Sequence, residues 1–148
     1  MAIHYYYENI KKPKLRYRLI SNWLKYILTQ NSLSLGSISI VFCNDESLLK
    51  MNQKYLKHDY YTDIITFDYV TKNVISGDIF ISTERVKDNS IKFGVNLEEE
   101  FLRVISHGIL HLLGYGDQLQ NEKVAIRKLE SEYISFYKSL ENDSSYKI

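Results

Sequence analysis

The sequence predicts an α+β fold: a single domain in which a mixed β-sheet packs against helices. Three observations lead there. A chain of 148 residues, 45% of them hydrophobic, is sized for one compact core. No internal repeat and no Gly/Ser/Pro-rich linker divides it. The periodic segments follow the order βαβαββααα, and strands that alternate with helices and then pair directly imply a sheet of mixed direction.

The elements follow in order. "IHYYYEN", residues 3–9, reads as a strand, and after Pro13 the residues Leu15, Leu19, Ile20, Trp23, Leu24, Ile27 and Leu28 take the spacing of an amphipathic helix. "SISIVFC", residues 37–43, is the second strand. Asn44 then caps a helix opening "DESLLKMNQKYL", because its side-chain oxygen can accept a free backbone N–H and the acids after it suit the positive helix end. "TDIITFDY" and "GDIFIS" are rich in β-branched and aromatic residues and read as two more strands. Residues 83–93 form a short helix closed by Gly94. Asn96 with Glu99 gives a capping-box start to the next helix, which Gly114 ends. The last helix, about residues 122–140, carries Val124, Ile126, Leu129, Tyr133, Phe136 and Tyr137 partly in helical period, and the tail "ENDSSYKI" frays.

Composition narrows the function. No apolar run approaches the roughly 20 residues of a membrane span, and "MAIHYYYENIKK" lacks the apolar core of a signal peptide, so a cytoplasmic protein with no membrane partner is expected. A single cysteine, Cys43, allows no internal disulfide and reads as a buried strand residue. The net charge of +1 advertises no global attraction to nucleic acid, and no DNA partner is expected. One local patch stands out: Lys11, Lys12, Lys14, Arg16 and Arg18 fall together at the start of the first helix, either as solvated surface or as a phosphate-binding strip.

The chemistry is concentrated in "HGILHLLGYGD", residues 107–117. His107 and His111 stand at i and i+4 on one helix face, their Cβ atoms about 5–6 Å apart. The helix break at Gly114 lets the chain turn so that Asp117 approaches from a third direction. Imidazole nitrogens bind zinc at about 2.0–2.1 Å and carboxylates at about 2.0–2.2 Å, and three protein ligands leave a fourth position open. An open position points to catalysis. The plain alternatives are that the pair arises by chance on a helix and that Asp117 merely caps the last one.

"HGILHLLGY" also resembles the signature of the YbeY-type endoribonucleases, H-G-x-L-H-L-x-G-Y-D-H. Asn52, followed ten residues later by "TDIITF", is similar to that family's Asn and its T-D-V-L-S-F block, and "GDIFIS" is similar to its G-D-I-x-I-S strand. The likeness runs from Asn44 to Glu130. It implies a small α+β metalloprotein that cleaves single-stranded RNA in ribosomal RNA maturation, with one zinc or another divalent transition metal, and ribosomal RNA or a ribosomal subunit as partner. It puts His107 and His111 at the first two ligand positions. Asp117 stands where the family usually has its third histidine, and Gly116 where it usually has aspartate.

A second departure is Leu56, at the place of an arginine that the family uses near the metal. Lys54, Lys57 or His58 from the same loop could supply the cation, and Asp63, in the "TDIITF" block, is a further catalytic candidate. Asp78 reads as turn chemistry after Gly77. Two other functions stay open. A non-catalytic, metal-stabilised ribosome assembly factor would explain Leu56. A metallopeptidase fits less well, because the H-E-x-x-H mechanism needs a glutamate where this chain has Gly108.

Overall fold

The computed structural model describes residues 2–57 and 62–143. Its elements are β1 (Ala2–Tyr7), α1 (Tyr17–Gln30), β2 (Ser34–Cys43), α2 (Asp45–Leu56), β3 (Ile64–Asp68), β4 (Val74–Ser82), α3 (Thr83–Phe93), α4 (Leu97–Leu112) and α5 (Gln120–Glu141). The sheet order is β1-β2-β4-β3, with β1, β2 and β4 parallel and β3 antiparallel to β4. A helix returns the chain from β1 to β2, as a parallel pair requires, whereas β3 and β4 join by a short turn.

Alternation along the strands divides the core in two. Ile38, Ile40 and Phe42 of β2 and Ile79 and Ile81 of β4 face α1 and α4, joining Trp23, Leu24, Ile105 and Ile109. On the opposite face Cys43, Ile65 and Phe80 meet Leu48 of α2. The buried stripe of α1 is the one its spacing announced, and its large apolar residues each contribute about 1.5–3 kcal/mol on burial. α5 covers α1: Tyr137 meets Trp23 edge-on at 5.4 Å, and the Trp23 indole N–H donates to the Tyr133 carbonyl at 2.8 Å. No helix among the described residues is long and apolar enough to cross a membrane.

Local signals placed most boundaries. The Asn44 side chain accepts the Ser47 N–H at 2.8 Å, and Gly94 closes α3 at φ 67°, a left-handed conformation that glycine adopts without strain. Four expectations are corrected. α1 begins at Tyr17, so Lys11, Lys12 and Lys14 lie on the segment before it. Asn96 does accept the Glu99 N–H at 2.7 Å, but the Glu99 carboxylate reaches Lys138 at 2.7 Å instead of closing a capping box. Asp78 lies in mid-strand, opposite Phe67 and Ser39, because β4 extends three residues upstream of Gly77. Val124 points to solvent, and the buried stripe of α5 is Ile126, Glu130, Ile134, Tyr137 and Leu140.

Candidate metal centre

α4 is the most deeply buried helix, and one glycine explains how closely it lies on the sheet. A Cβ at Gly108 would stand 2.8 Å from Ile64 Cδ1 and 3.1 Å from Ile79 Cγ2. With that face against β3 and β4, His107 stands on the flank of α4 that borders a cavity shared with Asp63 and Ile64, and His111 follows one turn later. Both rings stay about three-quarters buried, at 23% and 24% exposure. Past Leu112 the chain turns through Gly114, at φ 99°, and returns over the histidines.

The return fixes the rings. The Nδ1–H of His111 donates to the Tyr115 carbonyl at 2.9 Å, and the Nδ1–H of His107 donates to the Glu130 carboxylate at 2.6 Å. This assignment of protons follows from the acceptors, since neither a carbonyl nor a carboxylate can donate. In the neutral rings both Nε2 atoms therefore carry lone pairs, and they face each other at 2.8 Å. Asp117 Oδ2 lies 3.3 Å from each. Three electron-pair donors from His107, His111 and Asp117 thus converge, all within 4.8 Å of one another. Such a cluster is repulsive by itself, and a cation relieves the repulsion.

Glu130 is the residue the sequence reading missed. It is 4% exposed, bonds His107 through one oxygen and Arg103 through the other at 3.2 Å. A glutamate among Ile126, Ile134 and Tyr137 on the buried stripe of a helix was the available signal, since a carboxylate is almost never buried without partners. Burial favours a neutral His107 ring, but the hydrogen bond to Glu130 and the charges of Glu130, Asp117 and Asp63 outweigh it and raise the pKa.

Asp63 shares a cavity of about 420 Å3 with His107, Asp117 and Glu130. Burial, helped by the charge of Glu130, pushes its carboxyl above the ordinary aspartate range against the opposing pull of His107 and Arg85. Lys57 is the left-handed cap of α2, at φ 57°, and is not among the residues lining that cavity. Leu56 is 43% exposed beside it. His58 lies outside the described residues. Asp78 shares the Phe80 face of the sheet, away from α4. Cys43 is buried, and its thiol is pushed up to about 12, burial being the main cause.

The basic strip is a separate feature. It lies near the start of α4, about 15 Å along the helix from His107. Arg16 is already held by Glu98 at 2.7 Å and Glu141 at 3.1 Å, and Lys12 stands over the rings of Tyr7 and Tyr17.

Against known proteins, residues 4–138 match the family model described as endoribonuclease YbeY. A Bacteroides fragilis protein named endoribonuclease YbeY is 45% identical over 93% of this chain and 99% of its own length. Its namesake from Parabacteroides distasonis is 44% identical over 91% of this chain and 95% of its own. A solution structure from Thermotoga maritima superposes with a TM-score of 0.67 at 22% identity, covering 99% of this chain and 96% of that one, and shares the fold.

Proposed function

The chain belongs to the endoribonuclease YbeY family, and from that premise we propose that it is a metal-dependent, single-strand-specific endoribonuclease of ribosomal RNA maturation, at work in the cytoplasm. The observation that carries the reading is the convergence of His107 Nε2, His111 Nε2 and Asp117 Oδ2, with both Nδ1 atoms already committed elsewhere. Two imidazoles and one carboxylate suit a single zinc ion, and the oxygen ligand also admits manganese. A bound divalent ion supplies an acidified water and offsets charge on a phosphodiester.

The remaining residues prepare the site. Glu130 holds the His107 ring at one angle and in one tautomer, and the Tyr115 carbonyl does the same for His111. Asp63, half-buried in the same cavity as His107, retains its carboxyl proton to higher pH than an ordinary aspartate, which suits it to hand a proton to a departing oxygen. Lys57 and His58 stay candidates for the cation at the place of the family arginine, Lys57 standing at the α2 cap and not among the residues lining the cavity.

Peptidase chemistry of the H-E-x-x-H kind is disfavoured sterically as well as chemically. A Cβ at Gly108 would stand 2.8 Å from Ile64 Cδ1 and 3.1 Å from Ile79 Cγ2, so a glutamate there requires those side chains to shift. The non-catalytic assembly-factor reading draws on Leu56 alone. Elemental analysis of the native protein, with cleavage of single-stranded ribosomal RNA fragments by the same preparation, decides between them. Cleavage that a chelator abolishes and zinc restores is expected. A fully metal-loaded protein that leaves every fragment intact would overturn the nuclease reading.

A further inference from the structure

The cavity beside His107 is larger than an ion needs. At about 420 Å3 it falls within the roughly 300–1,000 Å3 range of small-molecule sites. Three helices each present one face to it. α3 contributes Asn89 and Phe93, four residues apart; α5 contributes Lys123 and Arg127, also four apart; α4 contributes Arg103 and His107, again four apart. We propose that this cavity is a subsite for one unstacked nucleotide of single-stranded RNA, seated next to the bond cleaved at the metal centre. The proposal rests on the endoribonuclease reading.

Each face carries a different part of the recognition. Phe93 is 52% exposed at the last turn of α3, an aromatic ring outside the core and open to a base, with the Lys92 ammonium 5.7 Å from its centroid. The Asn89 side-chain amide offers a donor and an acceptor to a base edge. It makes no hydrogen bond among the described residues, and neither Lys123 nor Arg127 forms an ion pair there. Those two cations flank the cavity where a backbone phosphate would run. Glu100, 4% exposed, also lines the cavity, and its carboxyl is raised by burial and by Asp63 and Glu130 despite Arg103 and Arg127. A base held in a duplex is stacked on both sides and cannot enter; an unpaired one can. The subsite thereby gives a physical reason for single-strand specificity.

The test couples a change in the RNA to a change in the protein. A labelled single-stranded oligoribonucleotide is prepared intact and with one abasic residue at each position around its cleavage site. With zinc-loaded wild type, one abasic position should lose about tenfold in kcat/KM. Phe93→Ala should lose a similar factor on intact RNA and almost nothing more on that abasic RNA. Binding is followed by fluorescence anisotropy in parallel, and Lys123→Ala or Arg127→Ala should each lower the salt slope by about 0.7. If wild type cleaves but the two losses multiply, or no abasic position matters, the subsite is overturned and the nuclease reading stands. If nothing is cleaved yet binding shows the same coupling, the subsite stands and the nuclease reading falls. If neither cleavage nor Phe93-dependent binding is found, both are overturned.

Discussion

Replacing Glu130 with glutamine tests how much the candidate metal centre depends on a residue outside its donor set. The carboxylate receives the His107 Nδ1–H at 2.6 Å while 4% exposed, and a hydrogen bond to a buried charge contributes about 1.5–3 kcal/mol. Glutamine keeps the shape but removes the charge, a loss of about half that energy. It also introduces a donor. If the new amide turns its NH2 toward His107, the ring must accept at Nδ1 and carry its proton on Nε2, the atom that should face the ion. Loss of such an orienting partner typically weakens metal binding about 10–100-fold, or about 1.4–2.8 kcal/mol. Zinc competition against a chromophoric chelator reads the affinity directly, and circular dichroism checks that the fold survives. A folded Glu130→Gln protein that binds zinc within about threefold of wild type would refute the reasoning.

The same variant carries a pH signature in metal-free protein. The His107 pKa is raised in the fold, so its contribution to stability is fully present below the unfolded value of about 6.5 and is lost as pH rises through the raised one. The stability gap between wild type and Glu130→Gln should therefore narrow with increasing pH. A gap that widened would show that Glu130 does not favour the charged ring.

Four further outcomes are expected. His111→Ala should leave two donors and lower metal content sharply, and stoichiometric metal in that variant would remove the site as drawn. For Asp63 the folded pKa is raised, so wild type loses stability as pH climbs from the ordinary aspartate range through the raised value. Metal-free Asp63→Asn should accordingly melt higher at pH 8, with the difference closing toward pH 4; a lower melting temperature at pH 8 would contradict this. Leu56→Arg alters a residue 43% exposed, so its melting temperature should stay within about 2 °C of wild type. RNA cleavage should rise about tenfold, equal to about 1.4 kcal/mol, and unchanged cleavage would mean that the cation already comes from elsewhere. Gly108→Ala places a methyl 2.8 Å from Ile64 Cδ1 and should cost about 1–3 kcal/mol by denaturant titration, unless the helix shifts freely.

The element order and most boundaries were legible because they are written locally. Asn44, Asn96 and Gly94 act on their own neighbours, and the α1 stripe announces its buried face. The two histidines were legible for the same reason, since helical spacing alone brings them together. Glu130 was harder to see because its partner lies 23 residues away and the contact depends on how α5 crosses α4. Asn89 and Phe93 illustrate the same limit. Nothing in "VKDNSIKFG" hints that α3 borders the histidine cavity until the helices are packed. Asp78 was misread because Gly77 suggested a turn, whereas β4 pairs with β2 on both sides of Gly77, with only a register shift beside it.

The metal donors are unequally anchored, and that inequality governs how such a site can change over time. His107 and His111 are built into the helix that also supplies the floor of the core, so their spacing cannot drift without cost to the whole fold. Asp117 hangs from the turn beyond Gly114, where the backbone answers to few neighbours. Variation is therefore cheaper at that third position than at either histidine. An engineer seeking a different metal preference would begin at position 117 and leave the helix untouched.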